Sequence, residues 1–199
     1  MLGRRGIAAG GLALVVGACA GDDTDAAKEP AWPTRTSDGR IIVRGKGMAY
    51  AIRPPTGWSA RSIAGVDRST RSTVTVADLA PPDGSPVSIS GQMRTKTREF
   101  DSIESWIERV TEARRAEDES FTLRRAGPVR VRGRPSELVV LETGTPTGGP
   151  GSSIDHEAVV LIEEPRVIVE IFLTTSSRAL RDLHLSTLRA VAASYSPAV

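Results

Sequence analysis

Ala158-Val159-Val160-Leu161-Ile162, Glu163-Glu164-Pro165-Arg166 and Val167-Ile168-Val169-Glu170-Ile171-Phe172-Leu173 together read as two β-strands joined in a hairpin. They are the most hydrophobic strands of the chain, and the charged, Pro-containing turn between them sets their antiparallel pairing. Glu170, flanked by Val169 and Ile171, is expected to face solvent or to pair with an arginine.

Working outward, Phe121-Thr122-Leu123, Val129-Arg130-Val131 and Leu138 to Leu141 read as further strands, punctuated by Gly127-Pro128 and Gly133-Arg134-Pro135. The Gly144 to Ser153 stretch is a loop rich in Gly, Pro, Ser and Thr, and no Gly-Lys-Ser/Thr follows to make it a phosphate loop. Upstream, Ile41-Ile42-Val43 opens the globular part. Tyr50-Ala51-Ile52 runs into Pro54-Pro55-Thr56-Gly57-Trp58, which stops a strand and turns the chain. Thr73-Val74-Thr75-Val76 and Val87-Ser88-Ile89-Ser90 alternate on either side of Pro81-Pro82-Asp83-Gly84, the pattern of antiparallel neighbours.

Two helices complete the pattern. Asp101 is the expected cap of the first, with Glu104 as its capping-box partner. Ile103, Trp106, Ile107, Val110 and Ala113 share one face, and Glu104, Glu108, Glu112 and Arg115 take the other. The second starts near Ser176-Ser177, is expected to bury Leu180, Leu183, Leu188 and Val191, and ends before Pro197. Strands, helix, strands, helix make an α+β fold: a central antiparallel sheet covered by helices.

The amino terminus carries a different message. Met1-Leu2-Gly3-Arg4-Arg5 is a short basic start, and an apolar run follows from Gly6 to Val16. That order is a secretory signal peptide, and the run is too short to span a bilayer, which takes about 20 apolar residues. Small Gly17 and Ala18 follow, then Cys19, the one cysteine of the chain. Val16-Gly17-Ala18-Cys19 resembles the lipobox of bacterial lipoproteins. The resemblance implies cleavage after Ala18, with Val16, Gly17 and Ala18 read by the peptidase, and a lipid of the diacylglyceryl, palmitate-bearing kind on Cys19. The alternative is an ordinary signal peptide with an incidental thiol. The organisation expected is therefore a signal peptide over residues 1–18, a lipidated N-terminus and tether over 19–40, and a single globular domain over 41–199. The tether is polar and contains Pro30, Pro33 and Asp38-Gly39, so about 20 such residues hold the domain roughly 25 Å from the membrane. Trp32 is its one large apolar residue.

Charge narrows the partners. The chain has 26 Lys plus Arg against 24 Asp plus Glu, and Arg4 and Arg5 fall in the signal, so 26 − 2 leaves 24 against 24 after residue 18. A balanced domain gives no footprint for nucleic acid, and no basic run is long enough for an anionic-lipid patch. One cysteine excludes an internal disulfide, and with two histidines, His156 and His184, far apart, a metal site is poorly supported. Asp22, Asp23 and Asp25 lack the later ligands of an EF-hand. Gly45-Lys46-Gly47 lacks the third glycine of a dinucleotide fingerprint. Ser152, Ser153, Asp155 and His156 are triad residue types, but neighbours on a Gly-rich loop do not converge as a triad must. Glu163-Glu164 and Glu117-Asp118-Glu119 are read as solvated ends of elements. No catalytic residue, metal or cofactor is expected.

Tyr50-Ala51-Ile52-Arg53-Pro54-Pro55-Thr56-Gly57-Trp58 is similar to the opening strand and Pro-x-Gly-Trp turn of the PsbP-like domains, which include LpqN-type actinobacterial lipoproteins. Val129 to Pro135, the Ala158–Thr175 hairpin and a last helix ending at Ser194-Tyr195 fit the same scheme over about 150 residues. The chain departs from it in the doubled Pro54-Pro55 and the long 144–155 loop. The resemblance implies a PsbP-like α/β/α sandwich serving as a non-catalytic binding or assembly module, with none of that family's functional residues carried over. The expected function is thus a lipoprotein of the cell envelope, held by Cys19 outside the plasma membrane or at the outer membrane, that binds another envelope protein. A carrier or sensor of a small apolar ligand is the alternative, and an envelope enzyme ranks last.

Overall fold

The computed structural model describes residues 35–45, 48–67, 72–142 and 156–198. In chain order these form β1 (Ile41–Gly45), β2 (Met48–Ile52), β3 (Ser59–Asp67), β4 (Ser72–Ala80), β5 (Val87–Thr95) and α1 (Ile103–Glu117). They continue with β6 (Thr122–Pro128), β7 (Ser136–Glu142), β8 (His156–Glu163), β9 (Val167–Thr175), α2 (Arg178–Ala193) and β10 (Ser196–Ala198). Two helices and ten strands, in two antiparallel sheets, give a mixed and mostly sheet architecture compatible with α+β.

The apolar hairpin lies inside the larger sheet, whose order is β3-β4-β5-β9-β8-β7-β6. β8 and β9 pair from His156↔Thr175 to Glu163↔Ile168, as the turn residues between them require. The other flank of β9 is taken by β5, from Val87↔Thr175 to Thr95↔Val167. A strand hydrogen-bonded on both edges and covered on both faces is mostly apolar, which is why it reads as an apolar run interrupted within its core only at Glu170. Its side chains divide between two cores. Val167, Val169, Ile171 and Leu173 pack with Leu188, Val191 and Tyr195 of the α2 region and with β1 and β2. Ile168 joins Ile103, Trp106 and Phe121 beneath α1. One helix therefore covers each face. The second sheet, β1-β2-β10, lies on the α2 side, with Val43, Tyr50 and Ile52 in the same core as Leu79 and Ile89.

β4 and β5 are antiparallel neighbours around Pro81-Pro82-Asp83-Gly84, in register at Ala77↔Gly91 to Leu79↔Ile89. The Asp83 carboxylate closes this turn by accepting from the Ser85 amide at 3.0 Å and the Ser85 hydroxyl at 2.8 Å. Ser177 caps α2, its hydroxyl accepting from the Leu180 amide at 3.4 Å.

Other expectations need correction. The cap of α1 is Ser102, not Asp101, and the reciprocal partner is Ser105, whose hydroxyl accepts from the Ser102 amide at 3.0 Å. Ala113 is exposed, because α1 buries its first two turns, Ile103 and Trp106, and only partly its later ones. Val129-Arg130-Val131 forms no strand. The ladder of β6 shifts between Arg125 and Pro128, Pro128 has no N–H to offer, and Val131 closes a tight turn onto Arg134. Arg132 and Gly133 occupy that turn at φ 32° and 72°. Leu183 is not buried at all: it is 68% exposed. Among residues 35–40, the Arg35 guanidinium donates to the Ala60 carbonyl at 2.6 Å and Asp38 pairs with Arg40 at 2.9 Å and Arg53 at 3.1 Å.

Candidate functional site

Two buried carboxylates are the strongest polar features of the fold. Glu170 follows the alternation of β9 onto the α1 face and is 1% exposed. Its Oε1 accepts from the Trp106 indole N–H at 2.6 Å and from Arg94 Nε at 2.6 Å, while Oε2 accepts from Gln92 Nε2 at 2.6 Å. Gln92 faces Glu170 directly across the β5–β9 ladder, and Arg94 lies two residues along the same strand. The Arg94 guanidinium also sits 4.8 Å from the Phe100 ring centroid. The expected arginine is thus present, but the carboxylate is sealed inside. A buried charge is tolerated when its lone pairs are filled in this way, and the result ties β5, β9 and α1 together.

Glu164 overturns the expectation of a solvated turn. It is 4% exposed, accepts from the Tyr195 hydroxyl at 2.7 Å and pairs with Arg134 Nε at 3.1 Å. Glu164 is buried because Tyr195, arriving at the end of α2, folds over it, while Pro165 and Arg166 of the same turn stay exposed. Burial, then the hydrogen bond to Glu164, pushes the Tyr195 hydroxyl far above its ordinary range, so it stays a donor. Tyr50, 5.4 Å away ring to ring, is likewise raised well above its usual value, mainly by burial. Neighbouring Glu163 pairs with Lys96 at 2.8 Å and accepts from the Ile103 amide at 3.4 Å, placing a carboxylate at the start of α1. These groups are committed to holding elements together.

Val16, Gly17, Ala18 and Cys19 lie outside the described residues, as do Asp22, Asp23, Asp25, Trp32, Lys46, Gly47, Ser152, Ser153 and Asp155. His156 is described and begins β8. Burial, then the charges of Arg181 and Arg178, hold its imidazole below the ordinary value, against the opposing pull of Glu142 and Asp182. Glu117 and Glu119 are exposed, and Asp118 between them serves as the C-cap of α1. Among the described residues no group of three or more His, Cys, Asp or Glu is placed to hold a metal ion, and no helix is long and apolar enough to cross a membrane.

The surface that stands out is the outer face of α2. Leu183 is the exposed large hydrophobic residue among those described, and Ala179, Ser186, Ala190 and Ala193 are exposed with it. Steps of four, three, four and three residues put all five on one stripe, the spacing of a helix that seats against another surface. Beside it His184 meets Trp58 edge-on, ring centroids 5.6 Å apart. The stripe was readable in the sequence. A leucine in an amphipathic helix usually faces inward, and the uncharged spacing of this stripe is the signal to the contrary. No protein-family model matches the chain, and no curated protein matches it.

Proposed function

We propose that this chain is a lipoprotein of the cell envelope, anchored outside the plasma membrane or at the outer membrane by a lipid on Cys19. On this reading the folded domain is a non-catalytic binding or assembly module for another envelope protein, of the PsbP-like α/β/α sandwich kind. The observation that carries the proposal is Val16-Gly17-Ala18-Cys19, the one cysteine of the chain placed directly after a short apolar run. The uncharged stripe of α2, with Leu183 68% exposed, supports a docking role, since a single-sided apolar helix face is a common way to seat a partner. The helix on each side of an antiparallel sheet supports the sandwich reading.

The test is photo-crosslinking in intact cells from residues replacing Ser186 and Ala190, both exposed on that stripe. A discrete protein adduct is expected, and Leu183→Asp is expected to abolish it while leaving the fold intact. No specific adduct from either position would refute the docking role of α2. An adduct of unchanged yield in Leu183→Asp would remove Leu183 from the interface.

A further inference from the structure

We infer that the first turn of α2, together with Arg181 and the start of β8, forms a binding site for a small oxyanion, a carboxylate or a phosphate group. The helix is 16 residues long, and its first turn holds no acid. It holds Arg178 and Arg181 instead. A helix N-terminus carries partial positive charge, so side-chain anions are favoured there and cations are not. Arg178 adds an exposed positive charge at that end, an arrangement an incoming anion would relieve.

Arg181 supplies the independent observation. It is 1% exposed. Its Nε and Nη2 donate to Asp182 Oδ1 at 3.0 and 2.9 Å, and Nη2 also donates to Glu142 Oε1 at 3.1 Å. Nη1 is shut off from solvent and has no hydrogen-bond partner. Buried polar groups in folded proteins are almost always satisfied, and one left without a partner asks for a missing acceptor. Arg181 lies in the fourth helical position, and side chains on a helix lean toward its N-terminus, so the guanidinium is carried back toward the first turn. Its bond to Glu142, the last residue of β7, fixes it over the ends of β7 and β8.

His156 lies at the same end. It opens β8, pairs with Thr175 of β9 and shares the α2 face with Ala158 and Val160. Burial and the charges of Arg181 and Arg178 hold its imidazole below the ordinary value, outweighing Glu142 and Asp182. Arg178 is exposed and makes no ion pair among the described residues. The division of labour follows: Arg181 Nη1 is the buried donor, Arg178 the solvent-side charge, and the amides of Arg178 and Ala179 have no acceptor within the helix. A planar guanidinium suits an oxyanion better than a halide, because its forked N–H groups match two oxygens. The site rests on the folded domain alone and stands or falls separately from lipidation.

The test is a nuclear magnetic resonance titration of the full chain in non-ionic detergent, following the two histidine rings at fixed pH above the histidine range. Inorganic phosphate and acetate are the probes, and chloride at matched ionic strength is the control. Saturable movement of the His156 ring signals with His184 unmoved is expected. Arg178→Glu, at an exposed position that leaves the core untouched, is expected to weaken binding by about tenfold or more, the scale of one charge-assisted contact. Saturation by phosphate alone assigns a phosphate group, and saturation by both probes admits carboxylates. No saturation, equal drift of both histidines with ionic strength, or an unchanged titration in Arg178→Glu would overturn the inference.

Discussion

Trp106→Phe isolates the contribution of the buried Glu170 centre. The substitution keeps an aromatic ring beneath α1 and removes the indole N–H that donates to Glu170 Oε1 at 2.6 Å. A hydrogen bond to a charged acceptor contributes about 1.5–3 kcal/mol. Trp106 is 1% exposed, so the missing atoms leave a void rather than being replaced by water, at a further cost of about 1 kcal/mol. The carboxylate does not become an orphan, because Arg94 and Gln92 still donate to it at 2.6 Å each, which keeps the penalty from growing further. A loss of about 2.5–4 kcal/mol is expected, approaching the ~3–5 kcal/mol of truncating a buried Trp to Ala. Urea unfolding of Trp106→Phe, Glu170→Gln and the double variant measures it. The Trp106→Phe and Glu170→Gln effects should fall short of additivity by about 1–2 kcal/mol, since each removes part of the same contact. A Trp106→Phe loss below ~0.5 kcal/mol, or full additivity, would refute the claim that this bond joins α1 to the sheet.

Other perturbations probe separate joints. A Cβ added at Gly91 would lie 2.7 Å from the Tyr50 hydroxyl oxygen, so Gly91→Ala should cost about 1–3 kcal/mol in unfolding experiments, and adding Tyr50→Phe should recover part of it. Ser102→Ala should cost about 0.5–2 kcal/mol and Asp101→Ala distinctly less, since the hydroxyl of Ser102 is the cap of α1; equal losses would return the cap to Asp101. The folded chain holds His156 below its ordinary value of 6.5, so the unfolded state binds more protons near that pH. Stability from this group is therefore complete above pH 6.5 and falls as pH drops through that range, and His156→Gln should flatten that part of the urea-midpoint profile.

Local patterns were the legible part of this fold. The β8–β9 hairpin, the Pro81–Gly84 turn and the apolar side of the first turns of α1 are each written in contiguous residues, where periodicity and turn chemistry act directly. What was hidden depends on distant partners. Glu170 looks like a solvent-facing interruption of an apolar strand until Gln92, Arg94 and Trp106, 78, 76 and 64 residues away, arrive around it. Glu164 sits in a turn that looks solvated until Tyr195 closes over it from 31 residues downstream. β10 is three residues long and pairs with β2 at the other end of the domain, so no local signal marks it. Val129 and Val131 alternate like a strand and are buried like one, but Pro128 and the Arg132-Gly133 turn deny them a ladder. At the proposed oxyanion site the two arginines were visible at the head of α2. Their meaning came only with the burial of Arg181.

On the function proposed above, Cys19 is the lipidated N-terminus of an envelope protein. A mass spectrum of the N-terminal peptide of the protein extracted from its native membrane tests this most directly. A peptide that begins at Cys19 and carries a diacylglyceryl group, with residues 1–18 gone, is expected. A peptide that runs unbroken from Ala18 into an unmodified Cys19 would contradict it.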